Sequence, residues 1–369
     1  MEFSIAVLPG DGIGPEVISE AVKVLKVIGT KFGHEFNLQY GLIGGSAIDE
    51  TGSALPDKSA NLCSKSDGIL YGAVGGPKWD GPDVPVRPED GILTVRKTLD
   101  LFANIRPVKG YRSISDSSPI KPELLENVDM LILRELTGGL YFSKPKKRWE
   151  TSRGRRGVDT LRYSEEEIER IVRVGFELAS RRKKLLTSVD KANVLESSRL
   201  WREVATEISD DYPDVELEHI YVDNLSVQII RNPSHYDVIV AENTFGDIIS
   251  DEAAVLAGSL GMLPSASLSG YPPDIDTNNM SSNLYEPIHG SAPDIAGKGL
   301  ANPLATILSV GMLFKYSLNL EEPNRWIEEA VESVLGQGMR TADIMAEGMK
   351  QVETREMGDL VVAELEKIN

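Results

Sequence analysis

Cysteine is almost absent from this sequence, since Cys63 is the only one among 369 residues. An intrachain disulfide is therefore impossible, and a cluster of thiolates around a structural metal ion is excluded as well. The segment around Cys63 contains no histidine that could activate it. We interpret this residue as a packing thiol, with a nucleophile as the alternative.

Long apolar runs and an N-terminal targeting pattern are missing too. No stretch approaches the roughly 18 apolar residues that a membrane span needs. Residues 1–5 contain no basic region and no small-residue cleavage site, and they lead directly into a strand-like pattern. We therefore expect a cytoplasmic protein without a membrane partner.

Basic residues are outnumbered, with 39 Lys and Arg against 57 Asp and Glu and a net charge of -18. A chain of this charge repels nucleic-acid phosphates unless it has a basic face, so we predict no nucleic-acid partner. The basic run at 144–148, followed by Trp149, is interpreted as a solvated hairpin or arm. An anionic substrate would need locally concentrated cations, which makes clustered arginines informative.

The sequence does contain strand patterns alternating with helix patterns, which indicates an α/β fold. Its length suits two domains. A capping box at 164–167 predicts the start of an amphipathic helix that ends at Lys183 and Lys184. Residues 269–282 are predicted to form a surface loop. Buried strands are predicted over residues 4–8, 67–71, 130–135, 185–189 and 236–241.

A glycine-rich turn, PGDGIGPE over residues 9–16, follows the first predicted strand. Its glycines at 10, 12 and 14 do not fit the G-x-G-x-x-G spacing of a dinucleotide-binding turn, so no cofactor is assigned to it. Pro15 is predicted to be the first residue of a helix that reaches about residue 28.

Asp247 and Asp251 lie four residues apart in NTFGDIISD, residues 243–251, which follows a predicted strand and opens a helix. This spacing places both carboxylates on one helical face. Such oxygen ligands suit Mg²⁺ or Mn²⁺. Acidic residues are also common near helix N-termini because of the helix dipole, and the spacing alone leaves both interpretations open.

Three arginines form a second constellation: Arg96 in LTVRK, Arg106 directly before Pro107, and Arg134 at the end of a predicted strand. Guanidinium groups match carboxylates with paired hydrogen bonds. Each could also be an ordinary surface arginine. Tyr141, just past the loop at 137–139, and Lys191, which follows a predicted strand, form a candidate proton-transfer pair, although either could be structural.

Small residues dominate LYEPIHGSAPDIAGKG, residues 284–299, where they allow the backbone to approach a ligand closely. An acidic side chain such as Asp294 in this loop can bind a ribose diol and repel a 2′-phosphate, which favours NAD over NADP. His289 alone would be a weak indication.

These segments, with RELTGGLYFSKP, SVDKANVLESS and EPIHGSAPDIAGKGLANP in the same order, resemble the isocitrate/isopropylmalate dehydrogenase family of β-decarboxylating dehydrogenases. The resemblance covers nearly the whole chain. It implies a two-domain, non-Rossmann α/β fold with a large mixed sheet flanked by helices. Residues 1–102 and 258–369 would form the cofactor-binding domain, and residues 103–257 the domain for substrate, metal and dimer contacts.

The resemblance also implies an activity and its residues. The activity is NAD-dependent oxidation and decarboxylation of 3-isopropylmalate to 4-methyl-2-oxopentanoate (2-oxoisocaproate) and CO₂, in leucine biosynthesis, with Mg²⁺ or Mn²⁺. Active sites would be shared across a homodimer, because Asp223 and Lys191 of family members reach the site from the partner subunit. The implied catalytic groups are Lys191 as base and Tyr141 as acid. The implied ligands are Arg96, Arg106, Arg134 and Asp223 for the substrate carboxylates and hydroxyl; Glu89, Ile92, Leu93 and Val194 for the isopropyl group; Asp223, Asp247 and Asp251 for the metal; and Glu286, His289, Gly290, Ser291, Ala292, Pro293, Asp294, Ile295 and Asn302 for NAD.

Two alternatives remain beside this assignment. Sister dehydrogenases acting on homoisocitrate, tartrate or D-malate share the catalytic groups and differ in the pocket, where isocitrate enzymes have polar residues in place of Ile92 and Leu93. A non-catalytic regulatory subunit would be expected to lose Lys191 or the metal-binding aspartates. The sequence departs from the family pattern in its more basic arm at 143–149 and its longer loop at 269–282.

Overall fold

The computed structural model describes residues 1–81, 84–270 and 282–368, so most of the predicted loop at 269–282 lies outside the described residues. Its strands are β1 (Glu2–Gly10), β2 (Glu35–Tyr40), β3 (Gly68–Ala73), β4 (Ala103–Lys109), β5 (Asp129–Glu135), β6 (Lys147–Thr151), β7 (Gly154–Val158), β8 (Leu185–Asp190), β9 (Glu216–Tyr221), β10 (Val238–Ala241), β11 (Pro264–Leu268), β12 (Asn283–Pro287), β13 (Met339–Arg340) and β14 (Lys350–Gln351). Its α-helices are α1 (Gly14–Phe32), α2 (Gly45–Thr51), α3 (Asp57–Cys63), α4 (Glu89–Thr98), α5 (Pro122–Leu125), α6 (Glu165–Ser180), α7 (Glu196–Ser209), α8 (Val222–Arg231), α9 (Asn243–Ala253), α10 (Leu304–Tyr316), α11 (Glu321–Gly336) and α12 (Thr354–Lys367).

Ten of the described strands form one mixed sheet in the order β2-β1-β3-β12-β11-β4-β5-β10-β8-β9. The pairs β11–β12, β11–β4 and β4–β5 are antiparallel, and the other neighbours run parallel. We call the β11–β4 pair the seam. Strands on one side of it come from residues 1–102 and 258–369, and those on the other side from 103–257. The predicted α/β class with a large mixed sheet is confirmed, whereas the division into two domains stays a prediction.

The central strands are apolar on both faces because helices cover both. Every residue of β3 and β10 is buried, which is typical of parallel strands enclosed between helix layers. Helix α10 is almost entirely buried and packs on β11 and β12, while α6 packs on β8 and β10. The strand predictions at 4–8, 67–71, 130–135, 185–189 and 236–241 are confirmed to within two residues at every end.

The capping box that opens α6 is confirmed. The Ser164 hydroxyl accepts a hydrogen bond from the Glu167 amide at 3.3 Å, and the Glu167 carboxylate accepts one from the Ser164 amide at 2.8 Å. The predicted helix end at Lys183 and Lys184 is wrong, since α6 ends at Ser180 without a basic residue in its last turn. The reason is tertiary: Asp237 accepts hydrogen bonds from Arg182 and from the Lys183 amide, which draws this segment away from the helix axis.

Two further predictions concern segments near the site. Helix α1 begins at Gly14, one residue before Pro15, and runs four residues beyond the predicted end. The basic run leads into the exposed antiparallel hairpin of β6 and β7, with its last two residues in β6, which agrees with the hairpin interpretation. In the part of the chain that the structure describes, no helix is both long enough and apolar enough to cross a bilayer.

The capping box gives a direct stability test. Replacing Ser164 by Ala leaves the Glu167 amide without its acceptor, so we expect the free energy of unfolding in urea to fall by about 1 kcal/mol. The matched control is Ser180→Ala on the same helix, whose exposed hydroxyl donates only to the Glu177 carbonyl at 2.9 Å. Equal losses in the two variants would mean that the box does not stabilise α6.

Candidate active site

Three arginine side chains converge at the seam from three elements. Arg106 lies on β4 and Arg134 at the end of β5, both buried, while Arg96 lies in the last turn of α4. In the antiparallel register, Arg106 pairs with Ile132. Because alternate residues of a strand share a face, Arg106 and Arg134 point to the same side of the sheet.

Neighbouring polar groups orient two of these guanidinium groups. Nη2 of Arg96 donates to Oε1 of Glu286 at 2.8 Å. Nε of Arg106 donates to Oδ1 of Asn104 at 2.7 Å, and its Nη1 donates to Oγ of Ser250 at 2.5 Å. The arginines are thus held in place before any ligand arrives.

The electrostatics of this cluster favour an incoming anion. Burial, and after it the neighbouring charge of Arg106, lowers the pKa of Arg134 to about 9, against the opposing effect of Asp247. Burial also lowers the pKa of Arg106. For Arg96, burial acts in the same direction, but the Glu286 carboxylate outweighs it and raises the pKa. Cations that repel one another in a buried site are stabilised in their charged form when a carboxylate lies between them.

Helix α4 presents the predicted isopropyl pocket beside Arg96. Glu89, Ile92, Leu93 and Arg96 follow the spacing of one helical face. Ile92 is buried, Leu93 is half-buried and Glu89 is exposed. A cavity of about 140 Å³ is lined by residues that include Ile92, Arg96, Arg106, Glu286, His289 and Gly290. Apolar surface next to guanidinium groups suits a carboxylate with an aliphatic neighbour.

Asp247 and Asp251 lie on the same face of α9, as predicted. Nη1 of Arg106 is 3.5 Å from Oδ1 of Asp247 and 3.7 Å from Oδ1 of Asp251, and Nη1 of Arg134 donates to Asp247. Burial raises the pKa of Asp251, and the Asp247 charge acts in the same direction against Arg106. The two carboxylates therefore depend on a cation between or beside them.

The chemistry of this donor set fits a hard divalent cation, but the described residues of one chain do not complete it. Asp247 and Asp251 supply two carboxylate ligands of the kind that Mg²⁺ and Mn²⁺ prefer. Among the described residues of a single chain, no three His, Cys, Asp or Glu side chains are grouped closely enough to hold a metal ion. Asp223, the predicted third ligand, is therefore not brought to the pair within one chain.

Asp223, Lys191 and Val194 form a separate, more exposed group. Nζ of Lys191 is 2.5 Å from Oδ1 of Asp223, whose side chain is 66% exposed. Val194 is 62% exposed, and its amide donates to the Lys191 carbonyl at 2.9 Å. Lys191 follows β8, which lies two strands beyond β5 in the sheet. Asp223 and Val194 thus face outward from their own chain, while Lys191 is half-buried beside them.

Tyr141 lies beside the carboxylates. It ends a 3-10 turn, Gly139–Tyr141, and its hydroxyl donates to Oδ2 of Asp247 at 3.1 Å. The Arg134 guanidinium carbon lies 5.7 Å from the centre of the Tyr141 ring. Burial and the Asp247 charge raise the pKa of Tyr141, so the phenol stays protonated.

The predicted dinucleotide loop is anchored at both ends. Glu286, at the end of β12, pairs with Arg96 and so links the loop to the arginine cluster. Asn302, just before α10, donates to Asp343 at 3.1 Å and accepts from the Leu304 amide at 3.0 Å. The remaining predicted residues lie between these anchors: His289, Gly290, Ser291, Ala292, Pro293, Asp294 and Ile295.

His289 carries an unused hydrogen-bonding atom in this loop. Its Nδ1 lies 2.9 Å from the Gly290 carbonyl, whereas its buried Nε2 has no partner among the described residues. Burial lowers the pKa of His289, which favours the neutral ring. Asp294 is exposed, where a ribose could reach it. A buried ring nitrogen without a partner among the described residues and an exposed carboxylate fit a polar ligand such as NAD.

The sequence analysis gave no role to Asp11. In the structure, its side chain links three loops through hydrogen bonds to backbone amides. Its carboxylate accepts hydrogen bonds from the amides of Gly45 at 2.7 Å, Ser46 at 2.8 Å and Gly75 at 3.0 Å. One side chain thereby joins the first glycine-rich turn to two other loops. Its position between Gly10 and Gly12 was the available signal, because flanking glycines indicate close backbone approach.

The turn at 9–16 packs directly against the predicted dinucleotide loop. The Ile13 amide donates to the Ser291 carbonyl at 2.9 Å. The Glu16 carboxylate accepts from the amides of Gly297 and Gly299. Although no cofactor was assigned to this turn, it supports the loop to which one was assigned.

Comparison with known proteins places this site in a wider context. The family model described as "Isocitrate/isopropylmalate dehydrogenase" matches residues 4–361. A 3-isopropylmalate dehydrogenase from Carboxydothermus hydrogenoformans is 58% identical over 98% of this chain and 95% of its own length. One from Aquifex aeolicus is 52% identical over 100% of this chain and 98% of its own length.

Solved structures agree with these sequence matches. An isocitrate dehydrogenase from Methylococcus capsulatus matches with a TM-score of 0.84 and 30% identity, covering 99% of this chain and all of that one. A beta-decarboxylating dehydrogenase from Thermococcus kodakarensis, in its apo form, matches with a TM-score of 0.77 and 34% identity, covering 99% and 96%.

The contact between the two loops can be tested at Gly12. A Cβ there would lie 2.0 Å from the Ser291 carbonyl oxygen, at a φ of +58°. Gly12→Ala must therefore displace the dinucleotide loop, and we expect calorimetry to show NAD binding weakened by about tenfold or more. Gly33→Ala is the control, because Gly33 has a φ of +66° but nothing within 4 Å of its Cβ position. Equal NAD affinity in the two variants would contradict a role for this contact.

Proposed function

The chain belongs to the isocitrate/isopropylmalate dehydrogenase family, and we propose that it catalyses the NAD-dependent oxidative decarboxylation of 3-isopropylmalate to 4-methyl-2-oxopentanoate and CO₂, a step of leucine biosynthesis. The resemblance inferred from the sequence motifs is thereby confirmed. The observation that carries the proposal is the meeting of Arg106 and Arg134 with the carboxylates of Asp247 and Asp251, next to a cavity that Arg96 and the apolar Ile92 line.

The arginines account for the dicarboxylate part of the substrate. Arg96, Arg106 and Arg134 would each bind carboxylate oxygens through charge-assisted hydrogen bonds, worth about 1.5–3 kcal/mol apiece. Ile92 and Leu93 would contact the isopropyl group, where a third carboxylate would lose its hydration without gaining a partner. Val194 of the partner subunit and Glu89 complete the proposed pocket.

Two bound groups supply the remaining chemistry. Asp247 and Asp251, with Asp223 from the partner subunit, would hold Mg²⁺ or Mn²⁺, which supplies Lewis-acid stabilisation of negative charge on oxygen. The loop with His289 and Asp294 would hold NAD, which accepts a hydride.

Proton transfer is assigned to two side chains. Lys191 would accept the proton of the 2-hydroxyl as hydride leaves C2, giving a 2-keto acid whose carboxylate is β to the ketone. Loss of CO₂ leaves an enolate. Tyr141, with its proton held in place by Asp247, would donate to the enolate carbon. Positioned acids and bases of this kind contribute about 10²–10⁴-fold each.

A homodimer with shared sites is part of the proposal. Lys191, Val194 and Asp223 are exposed or partly exposed in one chain, as residues that complete a neighbour's site would be. Val227 on α8 and Ile248 on α9 are large apolar side chains with about half their surface exposed, and these two helices pack side by side. A second copy covering them would bring the exposed group toward the partner's carboxylates.

The proposed organisation extends to domains and compartment. We propose that residues 1–102 and 258–369 form the cofactor-binding domain and residues 103–257 the second domain, divided at the seam. The buried free thiol of Cys63 suits a reducing compartment such as the cytoplasm. The sister activities on homoisocitrate, tartrate or D-malate differ from this proposal only in the pocket of α4.

Substrate preference is the sharpest test of the proposed reaction. With Mn²⁺ and NAD, we expect NADH formation at 340 nm from 3-isopropylmalate, and a kcat/KM for isocitrate lower by about 10²-fold or more, since its third carboxylate would face Ile92 and Leu93 unpaired. D-malate and tartrate serve as controls that share the 2-hydroxy acid but lack the isopropyl group. Comparable kcat/KM values for isocitrate and 3-isopropylmalate would contradict the assignment of 3-isopropylmalate as the substrate.

Shared sites can be tested by complementation. Lys191→Ala and Tyr141→Phe should each be nearly inactive, since each lacks one proton-transfer group. In a heterodimer of the two, isolated through separate affinity tags, one of the two sites regains both groups, so we expect about half of the wild-type turnover. The controls are the two variant homodimers and a doubly tagged wild-type dimer. A stable heterodimer that is no more active than its parents would show that Lys191 and Tyr141 act from the same chain.

A further inference from the structure

The side chain of Asn243 lies between three parts of the proposed site. It is the first residue of α9, the helix that carries Asp247 and Asp251, and it is fully buried. Neither the proton-transfer steps nor the metal and substrate assignments above use it. A buried amide persists only where its donor and acceptor are satisfied, so its partners indicate what it does.

The amide oxygen of Asn243 holds one edge of Arg134. Oδ1 accepts hydrogen bonds from Nε at 3.0 Å and from Nη2 at 2.7 Å. Two N–H groups of a planar guanidinium directed at a single oxygen define the rotation of the whole group. The opposite nitrogen, Nη1, then faces Asp247, which is the side from which a substrate carboxylate would approach.

The amide nitrogen of Asn243 holds the turn that leads to Tyr141. Nδ2 donates to the Gly138 carbonyl at 3.1 Å. The Gly138 amide in turn donates to the buried carboxylate of Glu135 at 2.8 Å. The peptide groups on both sides of Gly138 are therefore fixed, three residues before the tyrosine whose hydroxyl reaches Asp247.

We propose that Asn243 is a positioning residue that couples the orientation of Arg134 to the placement of Tyr141. This inference rests on the proposed function and adds to it a residue that touches neither substrate nor cofactor. A single rigid amide ties the carboxylate-binding arginine, the turn before the acid catalyst and the carboxylate-bearing helix together. Small displacements in such a constellation are costly, about 10²-fold for 1 Å.

The variant Asn243→Ala removes both contacts. Loss of hydrogen bonds to a charged partner corresponds to about tenfold to hundredfold in affinity, so we expect that rise in the KM for 3-isopropylmalate and a lower kcat. The KM for NAD should stay within about twofold, because the dinucleotide loop has no contact with this amide in the proposal. Asn243→Ser is the second variant if the alanine form folds poorly, since a serine hydroxyl is too short to bridge both partners.

The matched control is Thr244→Val in the same helical turn. The Thr244 hydroxyl is buried and has no hydrogen-bond partner among the described residues, so its replacement by a methyl group changes the shape and packing of the turn very little. We expect wild-type kinetic constants and an unchanged melting temperature. Kinetic losses like those of Asn243→Ala would show that the turn is sensitive to any substitution and would overturn the inference.

A double-mutant cycle separates positioning from general damage. If Asn243 acts through Arg134, Asn243→Ala should change the KM for 3-isopropylmalate by less than about twofold when Arg134→Lys is already present. The same cycle with Tyr141→Phe should remove most of the effect on kcat. If Asn243→Ala had the same effect with and without the second substitution, the coupling would be refuted. The coupling would also be refuted if Asn243→Ala raised the KM for NAD as much as the KM for 3-isopropylmalate.

Calorimetric titration with 3-isopropylmalate keeps this test distinct from the test of function. The measured affinity reports how strongly Arg134 binds a substrate carboxylate, and the measurement does not require turnover. Wild-type protein that binds but does not turn over the substrate would refute the proposed function, while a weaker affinity in Asn243→Ala alone would still support the positioning role. Unchanged affinity in that variant would refute the positioning role, whatever the activity.

Discussion

The site depends on two buried guanidinium groups, those of Arg106 and Arg134, that lie beside the only partly covered carboxylates of α9. Arg106 and Arg134 lie within salt-bridge distance of Asp247, and Arg106 also reaches Asp251. Buried guanidinium groups without partners would each cost several kcal/mol, and two carboxylates on one helical face repel each other unless a cation lies beside them. A dianionic substrate and a divalent cation offer the same two kinds of charge. Ligands could therefore replace these internal partners without leaving a buried charge unpaired.

The sheet makes this arrangement possible because its direction reverses at the seam. Antiparallel pairing of β4 with β5 sets Arg106 and Arg134 on one face, and pairing of β4 with β11 brings in the strands from the two ends of the chain. Arg96 and Glu286 arrive from that side, and the carboxylates of α9 from the other. The site is thus composed of both halves of the sheet, and its shape depends on their relative position.

Several elements could be predicted from the sequence because the forces behind them are local. The Ser164 capping box, the buried strands and the shared face of Asp247 and Asp251 each follow from spacing within a few residues. The sequence analysis was wrong about one helix end and missed one residue where distant groups intervened. Asp237 pulls the segment after α6 out of the helix, and Asp11 gathers three loops that no local pattern connects.

The sequence by itself determined the fold class, the family and the kinds of side chain available for chemistry, since these depend on periodicity, motif order and composition. Only the tertiary structure decided which of those side chains meet. Asn243 contacts Arg134 across 109 positions of sequence, and Tyr141 reaches Asp247 across 106. Such distances depend on strand order and on close packing at the seam, where many weak contacts act together, and no pattern within a few residues encodes them.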